Sequence, residues 1–283
     1  MSKPTGICAI LLLWVLVLGA QPKKTVFMVT DAEGVAGICR QEQTEPQDPE
    51  LRQLLTGEVN AAVDGFLAGG ADEVIVWDGH DGSRTLSAAT IHPKAKLVIG
   101  DIGPIMTLDR SYAAVAFVGQ HSMAGVRTGI MAHSYSSLGI QNMLLNGKRV
   151  GEIETRTALA GSFGIPVIFL SGDRAAAREL HDIVPDAVTA EVKEGLARYS
   201  CISLSAAAAR DLIREKAADA VRKIGSIKPY RITGPVTLEI EYTTRNSLPI
   251  AAGAEPGREI VDDRTIRIHG KDLVEAWTRY EGR

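Results

Sequence analysis

Several side chains of this chain are of the types that build a metal centre, and they stand where apolar runs end. Val26 to Gly34 reads VFMVTDAEG, closing on Asp31 and Glu33 one residue apart. Glu73 to Trp77 closes on Asp78-Gly79-His80, Lys96 to Gly100 on Asp101, and Ala113 to Val118 on Gly119-Gln120-His121. Two imidazoles and several carboxylates make a nitrogen and oxygen donor set suited to zinc, with manganese or cobalt as substitutes. Buried together, Asp31 and Glu33 would repel, and one would have to keep its proton unless a cation compensated the pair. Each also has a plainer reading: Asp31 could cap a following helix and Glu33 could be a solvated loop residue. Their coincidence with two histidines at separate strand ends favours the metal, because a buried charge must be paired or metal-bound. His133, in a glycine-rich loop beyond His121, is placed to fold over the same point as a proton donor or transition-state stabiliser rather than a ligand. His92, His181 and His269 read as structural or surface residues.

The elements that would position these residues are buried strands alternating with helices. Thr25 to Thr30 is a continuous apolar strand of the kind covered on both faces of a parallel sheet. A helix pattern follows over 50–68 and stops at Gly69-Gly70. Strands 73–77, 96–100 and 113–118 come next, and Asn146-Gly147 marks a hairpin. Gly151-Glu152 opens a helix pattern to about Ser162, and 165–170 is another buried strand. Helix 206–222, strands 236–242 and 265–269 and a helix from Asp272 complete the chain. The fold class expected is α/β, a mostly parallel doubly wound sheet over 21–186, with a smaller C-terminal α+β portion over 187–283. Ligands in such sheets bind beyond the carboxyl ends of the strands, where the residues above stand.

Composition narrows the function. The 283 residues are 45% hydrophobic and 23% charged, enough for a sizeable core. The net charge is −3 with the basic residues scattered, which leaves no footprint for nucleic acid or an anionic membrane and favours a small-molecule partner. Residues 1–20 have one charge, Lys3, before an apolar stretch and small Gly19-Ala20; this is the layout of a secretory signal peptide, with an uncleaved N-terminal anchor as the alternative. The body is therefore expected outside the cytoplasm. Its cysteines, Cys39 and Cys201, belong to no CxxC pair, which excludes a cysteine zinc site. They are expected to be two separate thiols, with one disulfide as the alternative in an oxidising compartment.

In order and spacing, Asp31-x-Glu33-Gly34, Asp78-Gly79-His80, Gly119-x-His121, Met131-x-His133-Ser134, and Asn146-Gly147 followed by Val150-Gly151-Glu152 resemble the dinuclear zinc D-aminopeptidase family, over about residues 25 to 280. The resemblance implies two zinc ions bridged by Asp31, with Glu33 and His80 completing one site and His121 and Glu152 the other. It makes His133 the catalytic histidine. Glu152 enters as a ligand only in this way, since from its own context it is the first turn of a helix. The family also implies a ring-shaped homo-oligomer, commonly a decamer, whose internal chamber admits short peptides. The expected reaction is hydrolysis of a short peptide with a free N-terminus, a D-residue first, by a hydroxide bridging the two ions. Two alternatives stay open: an exported metallo-amidohydrolase acting on another small amide, and a non-catalytic domain holding a small ligand. Gly34-x-x-Gly37 lacks the complete GxGxxG of a nucleotide site and carries acids where phosphates would lie. No GxSxG is present for a serine hydrolase.

Overall fold

The computed structural model describes residues 23–103, 105, 107–248 and 255–282; the leader expected over 1–20 lies outside the described residues. The first strand, β1 (Thr25–Thr30), is buried at every position, as its unbroken apolar run requires. Helix α1 (Pro49–Ala68) begins with Asp48 accepting from the Leu51 backbone N–H and with Pro49 in its first turn, a pre-organised start. Strands β2 (Glu73–Trp77), β3 (Ala95–Val98) and β4 (Tyr112–Gln120) follow. A short hairpin, β5 (Ile140–Leu145) and β6 (Lys148–Arg149), turns at Asn146 and Gly147, both at positive φ. Then come α2 (Glu152–Ser162), β7 (Val167–Asp173), α3 (Arg174–Ile183), β8 (Val188–Ala197), β9 (Ser200–Ser203) and α4 (Ala206–Arg222).

These strands form a seven-stranded sheet in the order β3-β2-β1-β4-β7-β8-β9, parallel throughout except for the β8–β9 hairpin. The α/β class with a mostly parallel sheet is as the sequence indicates. Helices α1 and α4 pack together, as do α2 and α3, to cover the sheet. The chain moves outward from β1 to β2 and β3 on one side and resumes at β4 on the other. The gap between β1 and β4 is thus the switch point where α/β sheets bind ligands. Val29 stands level with Trp77 and Thr30 with Val118, so β1 and β2 end within a residue of each other and the last residues of β4 run beside the loop that follows β1.

The remaining strands, β10 (Val236–Tyr242), β11 (Arg258–Ile260) and β12 (Thr265–Gly270), join the hairpin in an antiparallel sheet ordered β11-β12-β10-β5-β6. Helix α5 (Leu273–Glu281), capped by Asp272, closes over it with Trp277 fully buried. Helix α2 lies between the two layers, giving Ile153 and Ala160 to the first core and Ala158 and Leu159 to the second.

Two expectations are corrected here. The division at 186 does not follow the sheets: β8 and β9 lie beyond it yet extend the large sheet, while β5 and β6 lie before it yet belong to the small one. Cys39 and Cys201 are not separate thiols but a disulfide with Cα atoms 6.2 Å apart. The β8–β9 hairpin at the sheet edge brings Cys201 to the loop that follows β1. No helix among the described residues is long and apolar enough to cross a membrane.

Candidate metal centre

Asp31 is the first residue past β1, and its backbone N–H donates to the Val118 carbonyl of β4 at 2.8 Å, so the two strand ends meet. The approach depends on Gly119, at φ +75°, where an added Cβ would stand 2.1 Å from the Asp31 carbonyl oxygen. With the ends this close, the two carboxylate oxygens of Asp31 face different histidines. Oδ1 is 3.1 Å from His80 Nδ1 and Oδ2 is 3.6 Å from His121 Nε2. Glu33 Oε2 approaches His80 Nδ1 at 3.6 Å, and Glu152 Oε1 approaches His121 Nε2 at 3.7 Å. Two clusters result, Asp31 with Glu33 and His80, and His121 with His133 and Glu152, each with donor atoms within 4.8 Å of one another. The His133 ring lies on the His121 ring, centroids 4.0 Å apart and planes 16° apart.

Every residue the sequence singles out for metal or catalysis is therefore in one place. Asp78 and Asp101 line the same cavity but have other partners. Asp78 Oδ2 accepts from the Thr85 and Leu86 N–H groups, and Asp101 from the Gly103 N–H. The cavity measures about 370 Å³ and is walled by Trp77, Tyr135, Arg156 and Tyr280 beside the clustered residues. Glu152 owes its position to a pairing no local pattern announces: the hairpin is held against β10, which delivers Gly151 and the start of α2 to the site.

The histidine tautomers follow from their outer partners. His80 Nε2 donates to the Thr44 carbonyl at 2.7 Å, His121 Nδ1 to the Ser122 carbonyl at 2.9 Å, and His133 Nδ1 to the Met131 carbonyl at 2.8 Å. In its neutral form each ring would turn its unprotonated nitrogen to the centre, the arrangement that orients metal-bound imidazoles. Glu33 Oε2, Glu152 Oε2 and His121 Nε2 are buried without hydrogen-bond partners among the described residues. Such orphaned atoms are what a cation would satisfy.

The electrostatics point the same way. Burial pushes the Glu33 carboxyl up and the Asp31 charge adds to this. Burial also raises Asp31, but the His80 hydrogen bond and the His121 charge outweigh it and hold the carboxyl far below its ordinary range. Burial lowers both histidines, yet Glu33 with Asp31 carries His80 to about 10, and Glu152 with Asp31 carries His121 to about 9. The cluster is a concentration of negative charge that draws in protons when no cation compensates it.

The loop after β1 is held from three sides. Lys193 of β8 is buried, and its ammonium donates to the carbonyls of Glu33, Val35 and Ile38. Glu58 of α1 accepts from the Ala36 N–H at 2.8 Å, and Ser203 of β9 from the Gly37 N–H at 2.8 Å. The loop carrying His133 contains two non-glycine residues at positive φ, Met131 and Tyr135, a conformation that costs about 1 kcal/mol or more at each. It is fastened by Ser134, whose hydroxyl donates to the Val150 carbonyl, and by Tyr135, whose N–H donates to Glu152 Oε1. Neither Lys193 nor Arg156 stands out in the sequence, since each is one basic residue in an ordinary pattern.

A family model described as Peptidase_M55, D-aminopeptidase, matches residues 25–281. The chain belongs to this D-aminopeptidase family. A D-aminopeptidase of Bacillus subtilis (strain 168) is 30% identical over 259 residues, covering 89% of this chain and 93% of that relative. Among solved structures, the Zn-dependent D-aminopeptidase DppA from Bacillus subtilis, described as a self-compartmentalizing protease, superposes with a TM-score of 0.83. It is 28% identical and covers 91% of this chain and 96% of its own. The D-aminopeptidase membership makes this chain a hydrolase and a zinc aminopeptidase by family. Its two clusters, all nitrogen and oxygen donors, fit zinc.

Proposed function

We propose that this D-aminopeptidase family member removes D-amino acids from the free N-terminus of short peptides, with two zinc ions per subunit. The observation that carries the reading is the placement of Asp31 between two donor clusters in one cavity. Asp31, Glu33 and His80 would hold one ion, and Asp31, His121 and Glu152 the other, with manganese or cobalt as substitutes. Zinc, when bound, supplies activation of water and polarisation of the scissile carbonyl.

The chain's own residues do the rest. Asp31, tied by the Ala32 N–H at Oδ1 and the Gln120 side chain at Oδ2, is fixed before substrate arrives. His133, with Nδ1 anchored to Met131, offers Nε2 to the cavity as the group that stabilises the tetrahedral centre or hands a proton to the departing amine.

Further parts of the reading concern setting. The disulfide and the expected leader over 1–20 both suit export to an oxidising compartment. Assembly into a closed ring, decameric as the sequence resemblance implies, is supported by the self-compartmentalizing character of the related protease. Leu196, Tyr199 and Ile202, exposed together on the β8–β9 hairpin, offer apolar surface for such contacts. The test is turnover of D-alanyl and L-alanyl dipeptides before and after chelation. Hydrolysis favouring the D-series, lost on chelation and restored by zinc, is expected; hydrolysis of the L-series alone, or activity indifferent to chelators, would overturn it.

A further inference from the structure

Arg156 is a charged group the chemistry above does not use. It lies one turn after Glu152 on α2, is only 5% exposed, and lines the same cavity as the clustered donors. Among the described residues its Nε and Nη1 have no hydrogen-bond partner, and the guanidinium forms no ion pair. What surrounds it is aromatic: the guanidinium carbon is 5.7 Å from the Trp77 ring centroid and 5.5 Å from that of Tyr135. Ring faces steady a cation in that position but accept none of its N–H bonds. A buried guanidinium with no carboxylate at hydrogen-bond distance leaves its N–H groups unsatisfied, and its fork matches a carboxylate with two parallel hydrogen bonds.

We infer that Arg156 binds the C-terminal carboxylate of the peptide substrate and makes the enzyme selective for dipeptides; this rests on the aminopeptidase reading above. Length supports the choice. Four residues along α2 separate Glu152 and Arg156 by about 6 Å. A carboxylate one residue beyond the scissile carbonyl lies about 3.5 Å farther along the chain, and a hydrogen bond covers about 2.8 Å more. A second residue past the cleavage point would overshoot by another 3.5 Å or so. The nearby acids Glu152 and Asp78 make their hydrogen bonds to the Tyr135, Thr85 and Leu86 N–H groups, and neither pairs with the guanidinium.

The test compares D-alanylglycine, D-alanylglycinamide and D-alanylglycylglycine on the zinc-loaded wild type and on Arg156→Met and Arg156→Lys. Wild type should favour the free dipeptide acid over its amide by on the order of 10- to 100-fold in kcat/KM, the range of a charged hydrogen-bonded pair. Arg156→Met should bring that ratio close to one, kcat/KM falling more for the acid than for the amide, and Arg156→Lys should retain part of the preference. Equal use of acid and amide by wild type, or an undiminished preference in a folded Arg156→Met, would overturn the inference. If neither variant folds, the wild-type ratios decide it. If wild type hydrolyses none of the three, the aminopeptidase reading fails separately. Calorimetric titration with the acid and the amide then reads Arg156 directly: tighter binding of the acid supports its role, and equal binding refutes it.

Discussion

Replacing Lys193 with methionine tests how the metal-facing loop is held. The buried ammonium donates to three backbone carbonyls, those of Glu33, Val35 and Ile38. At about 2 kcal/mol for each bond from a charged donor, their loss would destabilise the fold by about 6 kcal/mol. Burial also penalises the ammonium, lowering it from 10.5 to about 8 against the charges of Asp173, Glu58 and Glu33. Relief of that penalty returns about 3 kcal/mol. Lys193→Met should therefore lose about 3 kcal/mol net, seen as a lower urea midpoint at unchanged slope. Because Glu33 sits on this loop, zinc affinity measured by competition with a chromophoric chelator should weaken by 10-fold or more, the effect of losing an outer partner of a ligand. A variant within about 0.5 kcal/mol of wild type, with unchanged zinc affinity, would refute the reasoning.

Three further outcomes are expected. His133→Ala should keep its zinc while kcat falls by on the order of 10², whereas His80→Ala and His121→Ala should lose bound zinc by elemental analysis. Burial raises the Glu58 carboxyl from 4.5 to about 7, against the Ala36 hydrogen bond and the Lys193 charge, so the folded state holds that proton more tightly than the unfolded chain. Its stabilising contribution is full below pH 4.5 and is lost as pH rises through 7. Relative to Glu58→Gln, wild type should lose about 3 kcal/mol of stability between pH 4.5 and 8, read from urea midpoints at each pH, and parallel profiles would refute this. Reduction of Cys39–Cys201, which closes a 162-residue separation, should lower stability by about 5 kcal/mol, and two free thiols in the native oxidised protein would contradict the pairing.

Much of the site was legible because parallel strands buried on both faces read as apolar runs, and the residues that end them fall at one edge of the sheet. Asp31, Glu33, His80 and His121 were placed by that logic. Glu152 was not, because it reaches the site from the other layer, through a hairpin whose partner strand β10 lies about a hundred residues on. The β8 segment carries no parallel-strand signature in its sequence, for a physical reason. Close to the sheet edge, it exposes part of one face and alternates in burial like an antiparallel strand, although it runs parallel to β7. The disulfide and the Lys193 contacts are equally silent in the sequence, since both depend on the β8–β9 hairpin reaching the loop after β1. Arg156 carries no signal in the sequence because a lone arginine on a helix is ordinarily a solvated residue; its burial between Trp77 and Tyr135 distinguishes it.

The central claim is that Asp31 is shared by two adjacent zinc sites. Zinc per chain, measured by elemental analysis on purified wild type and Asp31→Asn, tests it most directly. The account predicts two zinc ions in wild type and loss of both in a variant that remains folded by circular dichroism. One ion or none in wild type, or full occupancy in Asp31→Asn, would contradict it.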